Sequence, residues 1–102
     1  IFFSKIINYS DLTRSLLKQL VRSATSVGVN YMEANQASSK KDFRNKIRIS
    51  QKEANETKHW LRMIVAMIPE HKDKCRKLWQ ESHKLTLIFA KISNSCKLEI
   101  KN

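Results

Sequence analysis

The residues most able to do chemistry in this chain are few, and most of them are cationic. Glu56 and His59 have the E-x-x-H spacing of carboxylate-bridged di-iron bundles, where one helical turn brings a carboxylate and an imidazole onto one face. Such a site needs a second pair and two further inward-pointing glutamates, and no second pair is present. Cys75 and Cys96 have no histidine pair beside them at zinc-ligand spacing. His71 and His83 lack a Cys or Ser partner in a recognisable nucleophile context. One glycine in 102 residues leaves no Gly-rich phosphate loop, and the carboxylates are not clustered as a two-metal nuclease requires. The residues point away from an enzyme, and they imply no metal and no cofactor.

What remains is positive charge in a pattern. Lys41, Arg44, Arg48, Lys52, Asn55, His59 and Arg62 recur at intervals of three and four, so on a helix they stack along one side with no carboxylate between them. Such a row contacts phosphates and confers little base preference. Lys41, Arg44, Arg48, Lys52 and Arg62 are the candidate nucleic-acid ligands, with Arg14 and Lys18 in support on the preceding helix. Lys40 and Lys41 oppose the positive end of a helix dipole, which costs a few tenths of a kcal/mol each; phosphate contacts beside free backbone N–H groups would offset that. Across the chain 20 Lys and Arg face 9 Asp and Glu, a net charge of +11 spread over both halves. A field of that sign attracts nucleic acid, an acidic protein or an anionic membrane, and a merely solvated surface is the plain alternative.

The compartment is constrained too. On one helix, Cys75 and Cys96, 21 positions apart, are separated by about 30 Å, far beyond the ~7 Å a disulfide tolerates. Two free thiols suit a reducing cytoplasm. No apolar run approaches the ~18 residues that span a bilayer, and Lys5 interrupts the short opening Ile-Phe-Phe.

The elements that must position these residues are helices, because one glycine and one proline leave few turns for strands. We expect one domain over 1–102 with helices at about 1–9, 11–35, 39–68 and 71–98. Phe2, Ile6 and Tyr9 read as the last two turns of a truncated first helix, consistent with Ile1 in place of Met. Ser10 and Asp11 are good caps for the second. Its apolar face is Leu16, Leu17, Leu20, Val21, Ala24, Val27, Gly28 and Tyr31, and close approach of another helix is the expected compensation for Gly28. Opposite runs a polar line, Gln19, Arg22, Ser26, Asn30 and Glu33, which is either a solvated face or a hydrogen-bonded line toward another helix or subunit.

The 39–68 helix organises the rest. Ser39 and Asp42 fit a capping box, and Pro69 ends the helix. At about 100° per residue, Phe43, Ile47, Ser50, Ala54, Thr57, Leu61, Val65 and Ile68 form a core seam with small residues in the middle. A third stripe mixes Ile49, Glu53, Glu56, Trp60, Met63 and Met67, an interface composition; Val29 and Met32 also lie off the core seams. The last helix puts Cys75, Leu78, Trp79, Ser82, Leu85, Phe89, Ile92 and Cys96 on one side. Short connections predict an all-α, antiparallel up-down bundle.

The run Lys18-Gln19-Leu20-Val21-Arg22-Ser23-Ala24-Thr25-Ser26-Val27-Gly28-Val29-Asn30-Tyr31-Met32-Glu33-Ala34 resembles the signature Q-x-x-R-x-x-x-S-[IV]-x-x-N-x-x-E-[AG]. Ser38 to Phe43 and Lys52 to Leu61 resemble the third helix of the same family, the small four-helix-bundle proteins encoded in intervening sequences of bacterial 23S rRNA genes. Two motifs in the right order, within about residues 12–95, carry the resemblance; Ala24 stands where glycine is common. The resemblance implies a four-helix bundle assembled as a ring-like homopentamer. It also implies similarity to the accessory protein of diversity-generating retroelements, a basic pentamer that binds nucleic acid and a reverse transcriptase. No catalytic residues come with it. Gln19, Arg22, Ser26, Asn30, Glu33, Glu53 and Glu56 carry over as residues that hold helices or subunits together, and Trp60 joins them as a candidate for the oligomer interface.

Overall fold

The computed structural model describes residues 9–101, with side chains described over 10–96. The expected helix at 1–9 lies outside the described residues except for Tyr9. Among the described residues the chain is all-helical: α1 spans Tyr9–Asn35, α2 Lys40–Met67 and α3 Lys72–Lys101, with a 3-10 turn at Pro69–His71. These are three long helices, where the sequence reading counts four. α1 is described from Tyr9 onward, so Ser10 and Asp11, expected as its caps, are helical, and Asp11 in its first turn complements the dipole.

The ends of α2 form where the residues demand. Ser39 is extended (φ −148°, ψ 161°) and its hydroxyl accepts from the Asp42 amide at 3.1 Å. The returning half of the box is altered: Ser38 Oγ donates to the Asp42 carboxylate at 3.3 Å. At the other end Ile68 leaves helical dihedrals (φ −132°, ψ 78°) while its amide still donates to the Ile64 carbonyl. The residue before a proline is pushed out of the helical region, and Pro69 then starts the 3-10 turn that leads into α3.

α2 is the central helix, packed along both neighbours. At one end Leu16, Leu61, Ile64 and Cys75 form a buried cluster; at the other, Ala34, Ile47 and Phe89 form a second. Each cluster joins all three helices, early residues of one against late residues of the next, as an antiparallel arrangement requires. Between the clusters α1 meets α2 through small polar residues. Ser50 Oγ donates to the Val27 carbonyl at 3.1 Å, and Thr57 Oγ1 lies 2.9 Å from both Ser23 Oγ and the Glu53 carbonyl. Ser23, Ser50 and Ala54 are fully buried, so the small middle of the seam is where the backbones approach. Ile64, absent from the predicted seam, is buried because α1 covers the side of α2 on which it lies.

Several expected core positions are not covered. On α1, Leu17, Val21 and Tyr31 are exposed, Val21 by 63%, and so are Ala24 and Gly28. A Cβ at Gly28 would meet nothing within 4 Å, so no neighbouring backbone comes close there. On α3, Leu78 and Leu85 are exposed as well. The reason is geometric: α2 covers one stripe of each flanking helix, and the apolar faces of α1 and α3 are wider than that stripe. α1 and α3 touch through Tyr31 and Phe89, with ring centroids 6.1 Å apart. Conversely, Trp60 and Met67, expected off the core seams, are partly buried against the first cluster.

Candidate nucleic-acid interface

The predicted cationic row exists as one side of α2, bordering α3. Lys41, Arg48, Lys52, Asn55, His59 and Arg62 are exposed and Arg44 is half-buried. Arg44 Nε donates to the Ser93 carbonyl of α3 at 3.2 Å, which ties its side chain along the groove between the helices. Arg62 lies over the Trp79 ring of α3, 5.1 Å from the centroid. Lys58, just inside the row, is 5.0 Å from the same ring and 3.1 Å from His83 Nδ1. An ammonium can only donate, so Nδ1 is the acceptor of that bond. His83 stacks on Trp79 at 5.1 Å and 12°.

Among the described residues, none of Lys41, Arg44, Arg48, Lys52 and Arg62 is ion-paired with a carboxylate. From Lys41 to Arg62 the row spans 22 residues of helix, about 30 Å. Exposed cations at that spacing can neutralise successive phosphates and release their counterions. The supporting residues do not join it. Arg14 pairs with Asp11 one turn away at 3.8 Å, and Lys18 is exposed; both are on α1, on the other flank of α2.

The polar line of α1 faces α2 of the same chain at two points. Arg22 donates to Glu53 at 3.3 Å and, in a closer contact, to Glu56; its Nε donates to Gln19 Oε1 at 3.0 Å. Trp60 Nε1 donates to the same Glu56 oxygen at 3.1 Å. Further along, Lys46 Nζ donates to Glu33 Oε1 at 2.7 Å. Asn30 turns inward on its own helix and donates to the Ser26 carbonyl at 2.8 Å. Four predicted interface residues, Arg22, Glu33, Glu53 and Glu56, thus clamp α1 to α2 within the chain. Trp60 was readable as apolar but not as the partner of Glu56, although their i,i+4 spacing carries that signal.

Glu56, the acid of the E-x-x-H pair, is engaged by Arg22 and Trp60, while His59 sits on the outer row in a T-shaped contact with the Trp60 ring. Among the described residues no group of three or more His, Cys, Asp or Glu could hold a metal ion. Both cysteines are free, Cys75 buried and Cys96 partly so. No described helix is long and apolar enough to cross a membrane.

The sequence pattern of the 23S rRNA-intervening sequence protein family matches residues 8–78. The fold is similar to the crystal structure of a protein of unknown function from the S23 ribosomal protein family of Bacteroides thetaiotaomicron VPI-5482. The two are 30% identical over 85% of this chain and 89% of that one, with a TM-score of 0.74. No curated protein matches it. The chain belongs to the 23S rRNA-intervening sequence protein family.

Proposed function

We propose that this member of the 23S rRNA-intervening sequence protein family is a non-enzymatic, oligomeric helical bundle of the cytoplasm that binds RNA or DNA through the phosphate backbone with low sequence specificity. The observation that carries the reading is the exposed row of α2, cationic and free of acids along its length. Lys41, Arg48, Lys52 and Arg62 are its contacts, with Arg44 held at its inner edge. A purely solvated surface has no need to keep carboxylates out of a row that long, and mixed charge would be less costly in self-repulsion.

The oligomer is the second part of the proposal. Leu17, Val21 and Met32 on α1 and Leu78, Leu85 and Ile88 on α3 are exposed apolar positions. Rows of that kind on helices that share one core favour cover by further helices, as a four-helix form or a homopentamer would supply. Light scattering at micromolar concentration tests it, and a monomer would remove it.

Filter binding of a labelled RNA hairpin across a salt series tests the row. In the double variant Arg48→Glu/Lys52→Glu we expect about two orders of magnitude less affinity at low salt, and a log–log salt slope flatter by about 1.5 to 2. An unchanged slope would leave the row as solvated surface. The competing reading is an adaptor whose cationic face meets an acidic protein, such as a polymerase or reverse transcriptase. A partner that co-purifies after thorough nuclease treatment, and is lost in the same double variant, would favour it.

A further inference from the structure

The cationic row does not end on open helix. Beyond Arg62, between the last turns of α2 and the first turns of α3, lies a cavity of about 420 Å³. Its floor is Leu61, Val65, Cys75 and Trp79, and its rim carries Arg62, Lys72 and Arg76. Leu61 and Cys75 are buried members of the first core cluster, so the floor is part of the packed interior. Lys72 is the first residue of α3, so one rim cation stands at a helix start that itself carries partial positive charge. The Trp79 ring is stacked against His83, and Lys58 and Arg62 lie over it. Its Nε1–H is buried without a partner among the described residues, so no hydrogen bond fixes the indole in its plane.

An apolar floor with an aromatic ring and a rim of three cations fits a ligand that is flat and weakly polar on one part and anionic on another. A nucleotide of an unstacked strand has that composition, and the volume falls in the ~300–1,000 Å³ range of small-ligand pockets. The cations also continue the row, because Arg62 belongs to both. We propose that this cavity takes one splayed nucleobase of a single-stranded or looped segment against Trp79, Leu61 and Val65, while Arg62, Lys72 and Arg76 hold the flanking phosphates. This inference rests on the phosphate-binding reading and sharpens it. The row supplies affinity for any polyanion, and the cavity adds a preference for strands whose bases are free to leave the stack.

The test compares a short oligo(dT) strand with an abasic strand of equal length and charge, by fluorescence anisotropy at fixed salt. We expect oligo(dT) to bind about tenfold more tightly, the gain of one stacked base. In a Trp60→Phe background, where Trp79 is the remaining indole, oligo(dT) should quench the emission and the abasic strand should not. Trp79→Leu, with helicity checked by circular dichroism, should bring the two strands to equal affinity. Arg48→Glu/Lys52→Glu should weaken both alike. Equal, salt-dependent affinity for both strands with unmoved Trp79 emission overturns the cavity proposal and leaves the row intact. A preference for oligo(dT) that survives Trp79→Leu also overturns it. Failure of both strands to bind at low salt overturns both readings.

Discussion

The two flanks of α2 carry the same kind of residue to opposite ends. On the flank toward α1, Arg22 is matched by Glu53 and Glu56, and Lys46 by Glu33, so charge is spent within the chain on fixing two helices together. On the flank toward α3, Arg44 and Arg62 find only a carbonyl and an indole, and Arg48 and Lys52 face water. Neither a carbonyl nor a ring neutralises a guanidinium. Both orient it while leaving its full charge available. The position of two glutamates relative to the helix axis therefore separates a structural flank from an outward-facing electrostatic one.

One substitution made on both flanks should break or confirm this contrast. Arg22→Glu would gather three carboxylates where one guanidinium bridged two. Arg22 is 47% exposed at its side chain, so screening limits the cost, and we expect about 1–2 kcal/mol of lost stability by urea denaturation. Affinity for a hairpin should fall only by the small amount that any added negative charge brings. Arg48→Glu should do the reverse: stability within about 0.5 kcal/mol of the parent, and a salt slope lower by about 1. If the two variants behave alike, the flanks are not different in kind.

Two smaller effects sharpen the same picture. Ser39→Ala removes the hydroxyl that accepts the Asp42 amide, and should lower stability by about 1 kcal/mol in thermal or urea unfolding. Gly28→Ala should raise it by about 0.5–1 kcal/mol, since the added methyl enters open space on a helix interior. That last sign is informative in both directions. A loss of stability, appearing only at concentrations where the protein associates, would mean that another helix lies against Gly28 in the assembly.

The helix ends and the small-residue middle of α2 were legible because their causes are local. A serine hydroxyl caps an amide three residues on, a proline excludes its predecessor from the helix, and Ser50 and Ala54 leave room wherever a neighbour comes. The cationic row was legible for the same reason, since three-and-four spacing alone puts it on one side. The apolar faces of α1 and α3 were not. Periodicity marks Val21 and Leu85 as apolar-facing but cannot say how wide a stripe the neighbour covers. Nor could spacing alone say that Glu53 and Glu56 turn toward Arg22 of the same chain, because an acid on a helix face points equally well at a subunit. Trp79 read as ordinary core; its place beneath Arg62 and Lys58 depends on how α3 is set against α2, a tertiary fact.

The corner after Ile68 has a mechanical consequence. One turn of 3-10 helix, begun by a proline whose φ is locked, joins α2 to α3 without a glycine. Such a joint restricts how far the end of α2 can swing against the start of α3, the two elements that carry Arg62 and Arg76. A guest seated between them would then surrender less entropy of closure than a freely hinged clamp demands.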